Sequence, residues 1–206
     1  MKKSNKDYLY STIFKLFLSK HYELVTIKDI EEATGMTRGA VFYYSQNKQS
    51  LFCDIVDAYF FKAQDLEDKF KALQNYTTEN RSLLDFIHDY VKAVDCRMQR
   101  MQDILKMERA DVSRAYLSFV LQAQNYYPSF NEKMTAVFDA ELAMWESALK
   151  SAQERGEIND RLDAKSYARF FRYFYVGLCY QTSMNMGINM AELEMYFMSM
   201  YMLIKK

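Results

Sequence analysis

The sequence predicts an all-α protein in which a small N-terminal helix-turn-helix domain is joined to a larger helical domain. Three observations predict this. The 206 residues include one Pro and five Gly, too few turn formers for a sandwich of tight hairpins. Apolar side chains recur at spacings of three and four along most of the chain, the period of a buried helix face. Residues 26–44 hold two short helical stretches separated by Gly35, the pattern of a helix-turn-helix.

A first helix is predicted over residues 6–20, where Leu9, Ile13, Leu16 and Phe17 form one stripe. Residues 21–25 break it. Thr26 is placed as the N-cap of a second helix, with Asp29 three residues on and Ile27, Ile30 and Ala33 as its apolar face. Gly35 ends that helix where a left-handed residue is wanted. Thr37 caps a third helix to about Tyr44, and Lys48 or Gln49 opens a fourth, reaching about Leu73 through Leu51, Ile55, Tyr59, Ala63 or Leu66, and Phe70. Further helices are predicted from Leu83 to Val94, over 101–108, 112–126, 129–154, 164–185 and 190–204. Pro128, Gly156 and Gly187 serve as stops and Asp163 as an N-cap. The predicted domains are 1–48 and 49–206, meeting within the fourth helix.

Composition narrows the class. Half of the residues are hydrophobic and 26% are charged, which excludes whole-chain disorder. A chain of this length buries roughly 70% of its unfolded surface, so it needs no disulfide or metal to fold. Cys53, Cys96 and Cys179 are far apart, odd in number and set in apolar stretches, which reads as buried thiols in a reducing compartment. With no signal-peptide pattern and no long apolar run, the expected location is the cytoplasm, with no membrane segment.

Enzyme chemistry finds little support. The two histidines, His21 and His88, make no His-x-x-x-His or Glu-x-x-His spacing. There is no phosphate loop, dinucleotide fingerprint or nucleophile motif. No catalytic residue, metal site or cofactor is therefore assigned. Asp85 and His88 share a helix face and read as a surface ion pair.

The net charge is zero, but residues 1–50 carry eight basic and five acidic side chains. A basic end on a neutral chain points to a polyanion there. The second helix of a helix-turn-helix presents its N-terminus to the major groove. Here that end is Thr37, Arg38, Gly39 and Ala40. Arg38 suits either a guanine edge or a phosphate, and Gly39 permits close approach. Tyr43 and Tyr44 are placed to reach sugar and phosphate. Helix N-termini near Thr26 and Lys48 offer N–H groups to phosphates, with Lys28 and Lys48 adding charge. The bland alternative is an αα-hairpin that binds no nucleic acid.

Residues 6–52 resemble the DNA-binding domain of the tetracycline-repressor (TetR) family of transcriptional regulators. The runs Thr26–Ile30, Ala33–Tyr44 and Asn47–Leu51 follow that family's pattern nearly position by position. The resemblance implies a homodimer that sets the helix at 38–44 in successive major grooves, and a C-terminal ligand-binding and dimerisation domain. Arg155-Gly156-Glu157-Ile158, Asp163 and the Gly177 helix are similar to that family's C-terminal layout, less specifically. Four positions depart from the pattern. His21 stands where Gly is usual, Glu31 where a small residue is, Phe42 where Tyr is common and Ser45 where an apolar residue is common.

In the larger domain, Met and aromatic side chains are abundant. Core packing accounts for most of them, but they also suit an adaptable apolar pocket. Met98, Met101, Tyr116, Phe119, Phe138 and Trp145 are the candidate ligand residues, and Asp95, Asp103 and Glu108 raise a cationic ligand as one possibility. The last two helices are apolar on more than one side, so a twofold partner is expected to cover one of them. Phe170, Phe174, Gly177, Leu178 and Tyr201 are the candidate interface residues. The expected function is a ligand-responsive regulator with two partners, an operator in double-stranded DNA and a small apolar or aromatic ligand that releases a repressor from it. The alternative is a helical ligand- or partner-binding dimer without sequence-specific DNA binding.

Overall fold

A computed structural model of the chain describes residues 5–62 and 81–206. Every regular element among them is helical, apart from an isolated antiparallel bridge between Ile158 and Lys205. In chain order they are α1 (Asn5–Ser19), a 3₁₀ turn (Tyr22–Leu24), α2 (Ile27–Thr34), α3 (Arg38–Phe42) and α4 (Lys48–Val56). There follow α5 (Leu83–Leu105), α6 (Arg109–Tyr126), α7 (Phe130–Glu154), α8 (Ala164–Ser183) and α9 (Met190–Ile204). α4 runs on as a π-helical turn, Asp57–Phe61. The expected continuation through Ala63, Leu66, Phe70 and Leu73 lies outside the described residues.

Local chemistry sets most of the boundaries. Thr26 caps α2 in a capping box with Asp29, and Gly35 ends it at φ 67°, a left-handed conformation that costs a glycine nothing. Asn47 and Ser50 form the same box at α4, and Ser82 with Asp85 at α5. Asp163 accepts the Ser166 N–H at the start of α8.

Three expectations change. The separate helix over 101–108 does not exist: α5 continues from Leu83 to Leu105 and stops at Lys106, which adopts φ 57° without glycine. α3 ends at Phe42, not Tyr44. On α2 the inward position after Ile30 is Thr34, not Ala33, which is exposed. Residues four apart share a helix face, and the Thr34 hydroxyl is satisfied by donating to the Ile30 carbonyl at 2.7 Å.

Two hydrophobic cores result among the described residues. The first gathers Leu9, Ile13, Phe14 and Phe17 of α1, Ile30, Val41, and Leu51, Phe52 and Ile55 of α4, and it takes in Val112, Phe119 and Ala123 of α6. The Phe119 ring lies edge-on to Phe14 at 5.2 Å and 5.7 Å from Phe52. The second core is built from α5, α7, α8 and α9 around Trp145, with Phe86, Tyr90, Phe171 and Phe197 about it. α6 therefore packs its Phe119 side into the N-terminal helices while lying beside α5 and α8.

Candidate nucleic-acid interface and ligand pocket

α3 is short, and its position is held by its neighbours. Val41 is its buried anchor. The Thr37 hydroxyl accepts the Ala40 N–H at 3.4 Å. Glu31 of α2 accepts the Arg38 backbone N–H through Oε1 at 2.7 Å, so the unusual acid at this position satisfies a first-turn donor of α3. Behind α3, Ser45 donates to Asp54 Oδ2, which also accepts the Tyr10 hydroxyl at 2.9 Å. Ser45 is buried; its hydroxyl ties the end of α3 to α4 and α1 where an apolar residue could make no such bond. Burial, with Asp54 beside it, pushes the Tyr10 phenol up to about 12, so it stays a neutral donor.

The outward surface of this unit contains Thr26, Lys28, Thr37, Arg38, Gly39 and Tyr43, all exposed, with Ala40 and Tyr44 half-buried beside them. A Cβ on Gly39 would meet nothing within 4 Å. The Arg38 guanidinium reaches back over the Phe42 ring at 5.8 Å, and Tyr43 stacks edge-on with Tyr44 at 5.1 Å. Lys28 pairs loosely with Glu32 at 3.7 Å. Two predicted contacts have prior engagements. Thr26 donates its hydroxyl proton to Asp29 Oδ2 at 2.7 Å. Lys48 donates to the Val25 carbonyl at 2.8 Å and lies over the Tyr22 ring at 4.4 Å, and burial lowers its pKa.

His21 needs no left-handed backbone: at φ −58° it caps the 3₁₀ turn, its ring nitrogen accepting the Glu23 N–H. The Tyr22 N–H in that turn donates to Gln122 Oε1 of α6 at 2.7 Å. Gln122 is buried, and this bond crosses between the helix-turn-helix and the larger set of helices. Nothing in the local sequence pattern announces it.

α5, α6, α7 and α8 enclose a cavity of about 270 Å³. Of the predicted ligand residues, Met98, Tyr116 and Phe138 line it. Met101 and Phe119 instead pack in the first core, and Trp145 in the second. Their helical phase turns them inward, and the phase of an isolated segment does not say which of two cores it meets. Asp95 pairs with Arg109 at 2.8 Å, Asp103 meets Gln99, and Glu108 stands at the α6 N-cap; none of them lines the cavity. Its polar groups are others. Arg172 Nε donates to Glu141 Oε2 at 3.2 Å and Arg97 donates to the Tyr175 hydroxyl at 2.9 Å, while Tyr90, outside the lining, donates to Glu141 Oε1 at 2.6 Å. Burial pushes the Tyr90 and Tyr175 phenols well above their ordinary value. A sequence signal existed for the first pair. Arg172 falls on the stripe of Ala168, Phe171 and Tyr175, and Glu141 on that of Trp145 and Ala148. A charge on a buried stripe requires a partner.

Of the predicted interface residues, Phe170 and Gly177 are exposed and Phe174 is half-buried, while Leu178 and Tyr201 are buried within the chain. Tyr201 donates to Glu157 at 3.2 Å. The outward stripe of α8 is Phe170, Tyr173, Gly177 and Tyr180, and α9 adds Met195, Met202 and Leu203. Phe174 and Tyr196, with ring centroids 5.1 Å apart, join the two helices.

Other expectations shift. Cys96 is exposed, and Cys53 and Cys179 are half-buried, not buried. His88 pairs with Glu194 of α9, while Asp85 is occupied by Ser82. No described helix is long and apolar enough to cross a membrane.

Comparison with known proteins agrees with this geometry. Residues 9–55 match the family described as bacterial regulatory proteins, tetR family. No curated protein sequence matches the chain. Among solved structures, the fold is similar to SmeT in its triclosan complex, at 18% identity and TM-score 0.68, covering 99% of this chain and 93% of that one. It is similar to PfmR, a TetR-family transcriptional regulator from Thermus thermophilus, at 14% identity and TM-score 0.65, covering 96% of this chain and 98% of that one. A TetR-family transcriptional regulator from Agrobacterium tumefaciens matches at 14% identity and TM-score 0.65, covering 98% of each chain.

Proposed function

We propose that this chain, TetR-type in its N-terminal sequence and in its fold, is a dimeric DNA-binding transcriptional regulator, a repressor whose affinity for its operator is lowered by a small apolar ligand. The observation that carries the reading is α3. It is anchored by Val41, has its N-terminus held by Thr37 and Glu31, and turns Arg38, Gly39 and Tyr43 outward. Arg38 is the base or phosphate contact, and Gly39 leaves room for the groove wall. Lys28 and Tyr44 add backbone contacts. Lys48 and Thr26 act chiefly by shaping the unit, and the domains divide near residue 48.

Two copies joined through the outward stripes of α8 and α9 would hold two α3 helices for neighbouring major grooves, about 34–36 Å apart. The cavity offers the ligand site, and SmeT, a protein of similar fold, is known in a complex with triclosan. Coupling has a physical route. Tyr116 and Val120 of α6 line the cavity; Tyr116 meets Phe60 at 5.7 Å, and the same helix carries Phe119 and Gln122 into the N-terminal unit. A ligand that shifts α6 changes the spacing DNA requires, and by linkage DNA weakens that ligand equally.

The test is fluorescence anisotropy with DNA from upstream of the gene against scrambled DNA, across a salt series. Upstream DNA should bind at least about a thousandfold tighter, with affinity falling steeply with salt. Arg38→Ala should lose about tenfold or more. Equal weak binding of both DNAs, together with an empty genome-wide pull-down, would favour a ligand-binding dimer without operator recognition.

A further inference from the structure

We propose that the cavity between α5, α6, α7 and α8 takes an apolar molecule bearing one anionic oxygen group, a carboxylate or phenolate, which the terminal nitrogens of Arg172 receive. The inference rests on reading this cavity as the ligand site and names the ligand's chemistry. Arg172 is 6% exposed and lines the cavity. Its Nε is committed to Glu141 at 3.2 Å, and its guanidinium lies over the Phe138 ring at 4.1 Å. Its two terminal nitrogens donate to no described residue. A guanidinium presents a planar fork suited to a carboxylate, and here Nε is occupied on one side while the cavity side remains.

Glu141 does not offer the converse site. Both its oxygens already accept, one from Tyr90 at 2.6 Å and one from Arg172. A cationic ligand would have to displace one of them and stand beside the Arg172 charge. An anionic ligand displaces nothing and adds a second acid to the same arginine. The buried pair thus works as a holder: Glu141 offsets the cost of burying Arg172 and aims it. Arg97 lines the same cavity and its field also favours an anion. The remaining wall, with Val94, Met98, Val120, Met134 and Ile188, accepts the apolar body.

The experiment is titration calorimetry of the full chain near neutral pH with three probes on one skeleton: 2-naphthoate, 2-naphthamide and 2-naphthylmethylammonium. Naphthoate should bind about tenfold or more tighter than the other two. In Glu141→Gln/Arg172→Met, which removes both buried charges together, that preference should vanish while the amide still binds. Should that variant not fold, Arg172→Lys serves. It keeps the charge but loses the fork, and should weaken naphthoate several-fold without changing the amide. Equal or tighter binding of the ammonium or amide overturns the proposal. So does a preference that survives the double variant, an Arg172→Lys variant that binds naphthoate as tightly as the unaltered chain, or no binding of any probe up to about 1 mM. No DNA is present, so failure of operator binding leaves this result standing. Naphthoate preference without release of bound operator would count against ligand-responsive regulation and not against the anion site.

Discussion

Trp145 stacks on Phe171 with ring centroids 4.7 Å apart and meets Phe86 edge-on at 4.8 Å. Its Nε1–H is buried without a hydrogen-bond partner among the described residues. An unmade bond of this kind costs about 1–3 kcal/mol, so part of what the ring contributes by burial is offset at its own edge. Trp145→Phe, which discards the orphan donor with the extra ring, is expected to change stability by less than about 1 kcal/mol. Trp145→Ala, which leaves a cavity, should cost about 3–5 kcal/mol. Urea denaturation of both variants checks this, and a Phe variant as damaged as the Ala variant would show that ring volume, not the donor, dominates. Gly187 is the converse case. It sits at φ 77°, and a Cβ there would meet the Ala110 backbone at 3.0 Å, so both conformation and space demand glycine where the α8–α9 loop crosses the start of α6.

At the scale of the element, capping chemistry carries a pH dependence. Asp29 accepts from Lys20 at 2.9 Å and from the Thr26 N–H and hydroxyl at 2.6 and 2.7 Å. Lys20 first, then Thr26, holds its carboxyl well below the usual carboxylate range. Asp85 at the start of α5 is lowered in the same direction, by the Ser82 hydroxyl and backbone. The unfolded chain therefore binds these protons at a higher pH than the folded one. The stability they contribute is full above an ordinary carboxylate value of about 4 and is lost as pH falls through the folded values below it. Denaturation midpoints should hold from neutrality to about pH 5 and then fall. Asp29→Asn should lower the neutral midpoint and flatten the fall, and an unchanged slope would remove Asp29 as its source. The α2 cap is also the most legible part of the sequence, since a Thr three residues before Asp29 is a local pattern with a local cause; Ser82 with Asp85 repeats it. The end of α5 was illegible for the opposite reason, since Lys106 turns left-handed with no glycine to announce it.

Over the whole molecule, α8 and α9 both expose large apolar side chains, with Tyr173 at 56%, Met195 at 54% and Met202 at 62% exposure, and the Phe174 and Tyr196 rings meet between them. Surfaces of this kind mark protein interfaces, and a twofold axis would place identical stripes against each other. Met202→Glu, on the exposed side of α9, should shift the protein from dimer to monomer in sedimentation. Since one copy reaches one half-site, operator affinity should fall by about a hundredfold or more. A wild type that sediments as a monomer at micromolar concentration would overturn the dimer. Leu178 and Tyr201, buried within the chain where Phe170 and Gly177 are exposed, show why an outward face could be seen in sequence but not all of its members. A helix apolar on two sides announces two burials, and only packing decides which side its own chain takes.

By itself, the sequence determined the helical class, the caps at Thr26, Thr37 and Asp163, the helix-turn-helix and the family to which that unit is similar. Each of these depends on neighbours within a few residues, where period, capping chemistry and glycine conformation act. Tertiary structure alone decided the rest. It joined Gln122 to Tyr22, closed Ser45 and Tyr10 on Asp54, and sent Phe119 and Trp145 into two different cores. It also set Arg172 and its partner Glu141 together in the wall of one cavity. Those contacts join positions far apart in the chain, and their pairing depends on how whole helices pack, which no local period encodes.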